Sequence, residues 1–150
     1  MKNINDIVFI TPNNSTNIYQ ELSTNYSAIE TPTWSLLLAE SCRSIGYNVS
    51  IIDTLASQMT DDQAFESIER LNPRIICFVV YGQNVNAGTT NMSGATRLAN
   101  LIKEREIKSP IVFIGSHVQA LPSQTLEKEK SIDIICTNEG VYSIRNLLKL

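Results

Sequence analysis

Five short runs of β-branched and aliphatic residues, alternating with amphipathic stretches, constrain this chain's fold most tightly. The runs are Asp6-Ile-Val-Phe-Ile10, Val49-Ser-Ile-Ile52, Ile75-Ile-Cys-Phe-Val-Val80, Ile111-Val-Phe-Ile114 and Ile132-Asp-Ile-Ile135. Strands this short and apolar on both faces belong to a parallel sheet covered on both sides. The stretches between them read as helices. Trp34, Leu37, Leu38, Ser41 and Ile45 fall on one helical face, and Gly46 stops that helix. Thr60-Asp-Asp-Gln63 is a capping-box pattern that opens a helix with Ala64, Phe65, Ile68 and Leu71 inward and Pro73 just beyond its end. Ala95, Leu98, Leu101 and Ile102 form the next face, Leu121 to Lys130 a shorter polar helix, and Val141, Ile144, Leu147 and Leu148 the last. Strands alternating with helices build βαβ units with right-handed crossovers. The expectation is one α/β domain over residues 1–150: a doubly wound, five-stranded parallel sheet, Rossmann-like or flavodoxin-like, in the order 2-1-3-4-5 with helices on both faces.

Composition excludes several classes of function. The net charge is -3, and Lys103, Arg105 and Lys108 are scattered rather than clustered, which argues against nucleic acid as a partner. No apolar run approaches the roughly 20 residues of a membrane span. Met1 to Asp6 is polar and leads straight into a strand, unlike a signal peptide. The three cysteines, Cys42, Cys77 and Cys136, lie far apart in apolar stretches and read as reduced core thiols of a cytoplasmic protein.

The connections at one edge of the sheet are where the pattern departs from economy. Thr11 to Thr33 is a long polar segment with Pro12, Asn13, Asn14, Asn17, Asn25 and Pro32, and Tyr81 to Met92 is a second long, glycine-bearing loop. Loops of that length in a compact domain commonly carry function. Both leave the carboxyl ends of strands, as do Gly115-Ser-His-Val-Gln-Ala120 and Thr137-Asn-Glu-Gly140, and open α/β sheets bind ligands at that edge. A rim of amides, hydroxyls and glycines suits a large polar ligand held by neutral groups.

Catalytic signatures are missing. There is no G-x-x-x-x-G-K-[ST], and Thr11-Pro-Asn-Asn14 stands where G-x-G-x-x-G would follow the first strand. Thr11-Pro12-Asn13 also lacks the paired acids of a Mg²⁺-binding receiver domain, and the acid after the second strand, Asp53, stands alone and reads as a turn cap. No C-x-x-C serves redox chemistry, one histidine with dispersed cysteines makes no zinc site, and no G-x-S-x-G elbow is present. The edge reads as a binding rim without a catalytic constellation.

Four pieces in register carry a family resemblance. Ile29-Glu-Thr-Pro-Thr-Trp-Ser-Leu-Leu-Leu-Ala39 with Gly46-Tyr-Asn-Val-Ser-Ile-Ile-Asp53, Asn72-Pro-Arg-Ile-Ile-Cys-Phe-Val-Val-Tyr81, Ile111-Val-Phe-Ile-Gly-Ser-His-Val-Gln-Ala-Leu-Pro122 and Ile132-Asp-Ile-Ile-Cys-Thr-Asn-Glu-Gly140 resemble the cobalamin (B12)-binding domain at the N-terminus of many radical S-adenosylmethionine (radical SAM) enzymes. The third resembles the G-G-x-H-x-x-x-x-P signature with Ser116 at the second glycine; the fourth resembles D-x-x-x-x-G-E-G with Asn138 before Glu139. The resemblance implies cobalamin, as methylcobalamin or hydroxocobalamin, held base-off with its dimethylbenzimidazole tail detached. Thr11 and Pro12 stand where the methionine-synthase branch has D-x-H-x-x-G, so no histidine would lie below cobalt. Tyr81, Gly82, Gln83 and Asn84 would line the lower face, while Thr33, Trp34, Ser35, Gly115, Ser116, His117, Asn138, Glu139 and Gly140 would surround the tail and the corrin amides. The [4Fe–4S] cluster and S-adenosylmethionine would belong to a radical SAM domain acting in cis or in trans, because the cysteines lack C-x-x-x-C-x-x-C spacing. On that reading the chain is the N-terminal part of a longer methyltransferase, or a separate carrier.

Plainer readings stand beside these. His117 as a helix cap, Trp34 and Tyr81 as core, Gly115 and Gly140 as turn residues, and Glu139 as a helix-dipole partner all need no ligand. Two other classes share the fold: a flavin or nucleotide binder using Thr11 to Thr16, and an interaction or regulatory domain without a ligand.

Overall fold

The computed structural model describes residues 5–13, 29–82 and 85–150. The asparagine-rich stretch 14–28 of the first connection lies outside the described residues, as do Gln83 and Asn84. The elements run β1 (Ile7–Thr11), α1 (Thr33–Arg43), β2 (Val49–Asp53), α2 (Asp61–Leu71), β3 (Ile75–Val80), α3 (Val85–Glu104), β4 (Ile111–Gly115), α4 (Ser116–Ala120), α5 (Pro122–Lys128), β5 (Ile134–Cys136) and α6 (Val141–Leu147). All strand pairs are parallel, in the order β2-β1-β3-β4-β5, as the sequence pattern predicts.

The apolar runs bury both faces of the sheet. Val8, Ile10, Ile76, Phe78, Ile111 and Phe113 face one side and pack with Ala64, Phe65 and Ile68 of α2 and Leu98 and Ile102 of α3. Ile7, Phe9, Cys77, Val79, Val112 and Ile114 face the other and pack with Leu38, Ala39 and Cys42 of α1 and Ile144 of α6. Burying each of the large side chains contributes roughly 1.5–3 kcal/mol, which makes the central strands the stable frame for the loops. The Thr60–Gln63 capping box forms in both directions, at 2.9 and 3.3 Å. Gly46 adopts φ +96°, the left-handed turn that ends α1.

Four local expectations are corrected. The buried face of α1 is Ser35, Leu38, Ala39 and Cys42, while Trp34, Leu37 and Ile45 are exposed. The Leu36-Leu37-Leu38 run sets no unique phase; the Ser35 hydroxyl meets that of Thr11 at the end of β1, and Ala39 is buried in the core on that face of the sheet. The second long loop is shorter than expected, because α3 already begins at Val85. Asn, Gly and Thr are weak helix formers, but tertiary contacts of Gly88, Thr89 and Asn91 hold the turn. Residues expected as a loop after β4 form the single-turn helix α4, and α5 starts at Pro122, a favoured first helical residue. The fifth strand is displaced to Ile134–Cys136. Among the described residues, no helix is long and apolar enough to cross a membrane.

Candidate functional site

The carboxyl ends of β1, β3, β4 and β5 bring most of the sequence-predicted residues to one edge. At β1, the Thr11 hydroxyl lies 3.0 Å from that of buried Ser35 in the first turn of α1. The Thr11 carbonyl accepts from the backbone N–H of Thr54 at 3.1 Å and from its hydroxyl at 2.8 Å, fixing the end of β1 to the turn after β2. That turn also uses Asp53, whose Oδ1 accepts from the Ala56 N–H at 3.0 Å, a structural cap as expected. Pro12 is buried directly after β1. Thr33 is exposed, and its hydroxyl donates to the Thr31 carbonyl at 3.4 Å.

Trp34 corrects the core reading: it is 40% exposed and stacks on Tyr81 at the end of β3, with ring centroids 4.8 Å apart and planes 25° from parallel. The Tyr81 ring packs against the second core, and its phenol pKa is pushed up by burial and further by the negative charge of Glu139. Gly82 continues from Tyr81, half-buried. The Tyr81 carbonyl accepts from Asn91 Nδ2 at 3.2 Å.

At β4, Gly115 pairs with Val80, and a Cβ on it would fall 2.8 Å from the Val80 carbonyl carbon. Only glycine lets the two backbones come this close. Ser116 and His117 open α4. Gly88 of α3 lies against Ser116, where a Cβ would overlap the hydroxyl, and His117 Nδ1 stands 3.2 Å from the Thr89 hydroxyl. After β5, Asn138 Oδ1 accepts from the Gly140 N–H at 2.9 Å and from the Ser143 hydroxyl at 3.1 Å, opening α6. Gly140 has φ +84° and lies against Ile114 and Leu38, at the seam between α6, α1 and the sheet. Glu139 is exposed.

The sequence reading did not single out Gly88, Thr89, Asn91 or Thr54 as site residues. The glycine and amide run Asn86-Ala-Gly-Thr-Thr-Asn91 carried the available signal for three of them. The edge segments 11–13, 29–35, 53–60, 81–92, 115–120 and 137–140 contain no lysine or arginine. Among the described residues, no three His, Cys, Asp or Glu side chains are grouped to hold a metal. Cys42, Cys77 and Cys136 are buried, and burial pushes all three thiols up, Cys42 to about 11.

Comparison with known proteins places this edge in context. The family described as "B12 binding domain" matches residues 22–148. No curated protein matches the chain. The cobalamin-dependent S-adenosylmethionine radical enzyme OxsB, solved with aqua-cobalamin and S-adenosylmethionine bound, is 21% identical with a TM-score of 0.68, over 97% of this chain and 18% of that one. The radical S-adenosylmethionine methyltransferase TsrM from Kitasatospora setae, solved with cobalamin and a [4Fe-4S] cluster bound, is 14% identical with a TM-score of 0.72, over 99% of this chain and 24% of that one. The chain thus spans a quarter or less of either enzyme and shares their Rossmann-like fold.

Proposed function

Because the chain belongs to the B12 binding domain family, we propose that it holds cobalamin base-off at the carboxyl edge of its sheet, with no histidine below cobalt, and presents it to a radical SAM methyltransferase core. The observation that carries this reading is the edge without lysine or arginine: the Thr11–Ser35 hydroxyl pair, the Trp34–Tyr81 step and the closely packed backbones at Gly115 meet where the fold binds ligands. These residues fit cobalamin by the chemistry of their donors. A carboxamide fringe asks for neutral donors and acceptors, a flat ring system asks for aromatic and glycine surfaces, and one phosphodiester asks for no cation cluster.

Thr11, Ser35, Ser116 and Asn138 supply polar atoms around the ligand, and Pro12, Trp34 and Tyr81 exclude water from it. Gly82, Gly115 and Gly140 permit close approach, and Thr33 and Glu139 border the opening. The chain has one histidine, and its Nδ1 is engaged by Thr89 rather than reaching from the β1 loop, which supports the reading that no histidine lies below cobalt. Methylcobalamin bound there supplies a methyl group for transfer, and the cluster and S-adenosylmethionine belong to a partner domain in cis or in trans. Absence of lysine and arginine from the edge disfavours a phosphate-terminated flavin.

The test is competition. The chain is incubated with equimolar hydroxocobalamin and flavin mononucleotide, desalted, and examined by absorption and, after reduction, by paramagnetic resonance of Co(II). A corrin spectrum without flavin and without nitrogen hyperfine splitting is expected. Retained flavin overturns the ligand, and a nitrogen triplet overturns the combination of a detached base and no histidine below cobalt.

A further inference from the structure

We propose that His117 is a positioning residue that acts on the ligand edge through Thr89 and the first turns of α3, without touching the ligand. The inference rests on the cobalamin reading for what is bound; the coupling is a property of the chain alone. A continuous series of contacts runs across the ends of β3 and β4. His117 Nδ1 lies 3.2 Å from the Thr89 hydroxyl. The neighbouring Gly88 is wedged between Ser116 and the Val80 carbonyl, where a Cβ would stand 3.4 Å from the Val80 oxygen and overlap the Ser116 hydroxyl. Two residues beyond Thr89 along α3, Asn91 Nδ2 donates to the Tyr81 carbonyl at 3.2 Å. The Tyr81 ring stacks on Trp34 at 4.8 Å.

The start of α3 depends on these anchors. Its sequence, Val85-Asn-Ala-Gly-Thr-Thr-Asn91, sums weak helix formers, so packing rather than propensity keeps the turn. Loosening the His117 end shifts Asn91, and with it the Tyr81 carbonyl and the aromatic step. The two imidazole nitrogens are chemically distinct sites. An asparagine amide reaches the place of Nδ1, whereas a glutamine amide reaches that of Nε2. A positioning role through Thr89 is therefore rescued by His117→Asn, and a ligand contact through the outer nitrogen by His117→Gln.

The experiment compares the full chain with His117→Asn, His117→Gln and Thr89→Val. It measures hydroxocobalamin affinity, amide hydrogen exchange at Gly88 to Asn91, and the near-ultraviolet circular dichroism of Trp34 without ligand. His117→Asn is expected to keep affinity within about twofold. His117→Gln and Thr89→Val each lose about five- to tenfold, the scale of one hydrogen bond, with faster exchange and a weakened Trp34 signal. Rescue by glutamine with loss in asparagine overturns the inference, as do variants that all behave like the parent. If the parent takes up no hydroxocobalamin, the cobalamin reading fails, and the exchange and dichroism order alone decides the coupling.

Discussion

Alanine at Gly115 places a methyl group against backbone that has no room to yield, and comparison with two other glycines separates this effect from backbone strain. At Gly46, φ is +96° and nothing lies within 4 Å of a Cβ, so Gly46→Ala costs only the left-handed conformation, about 1 kcal/mol. At Gly140, φ is +84° and the Cβ meets the flexible end of Ile114 and stands 3.4 Å from Leu38, which raises the cost to about 2 kcal/mol. At Gly115 the obstruction is the Val80 peptide itself, with its carbonyl carbon 2.8 Å away and its Cα 3.2 Å away. Relief requires parting β3 from β4 at the ligand edge, for about 3 kcal/mol or more. A domain of this size loses about 2–4 °C of Tm per kcal/mol, so the expected losses are about 2–4 °C, 4–8 °C and 6–12 °C in that order. Thermal unfolding followed by far-ultraviolet circular dichroism reads the series. A Gly115→Ala loss no larger than that of Gly46→Ala refutes the claim that β3 and β4 are held together at that edge by backbone contact.

Tyr81→Leu keeps apolar bulk over the second core but removes the stack under Trp34; a red shift of Trp34 emission and weaker hydroxocobalamin binding are expected, and unchanged emission contradicts the stack. The raised thiols set an alkaline limit. The buried thiols keep their protons in the folded chain while unfolded thiols ionise near 9.0, so the stability they confer is whole below pH 9 and is lost as pH rises towards 11 for Cys42. A Tm flat from pH 7 to 8.5 and falling above pH 9 is expected, and a Tm unchanged to pH 10.5 contradicts it. Thr60→Ala removes the hydroxyl that accepts from the Gln63 N–H, leaves the Thr60 N–H to Gln63 Oε1 bond in place, and costs about 1 kcal/mol, read as a shifted denaturant midpoint with an unchanged slope.

What the sequence made legible is what local chemistry decides. The five apolar runs, the capping box at Thr60 and the stop at Gly46 each follow from residues within a few positions of one another, and the sheet order follows from connection rules. What failed depends on partners distant in sequence. The phase of α1 is settled by Ser35 meeting Thr11, a residue 24 positions earlier. The early start of α3 goes with contacts to distant residues: Gly88 against Ser116, Thr89 with His117 28 positions later, and Asn91 with the Tyr81 carbonyl. Trp34 reads as core from its helical face, yet its place is set by Tyr81. Most of the residues named from the sequence come to one edge because strand ends locate it; loop lengths are a poorer guide, since α3 begins at Val85 and α4 at Ser116. The pairings inside it, Thr11 with Ser35, Trp34 with Tyr81 and His117 with Thr89, are three-dimensional facts that no spacing encodes.

The most direct measurement is the fluorescence of Trp34 during a hydroxocobalamin titration of the full chain, with free tryptophan amide as the control for inner filtering. Trp34 is the chain's single tryptophan and stands on the proposed ligand edge, and corrin absorbs in the range of its emission. Quenching that saturates near one equivalent, with corrin colour retained by the protein after desalting, is the predicted result. Emission that follows the control throughout, in a chain whose circular dichroism shows it folded, contradicts cobalamin binding at this edge.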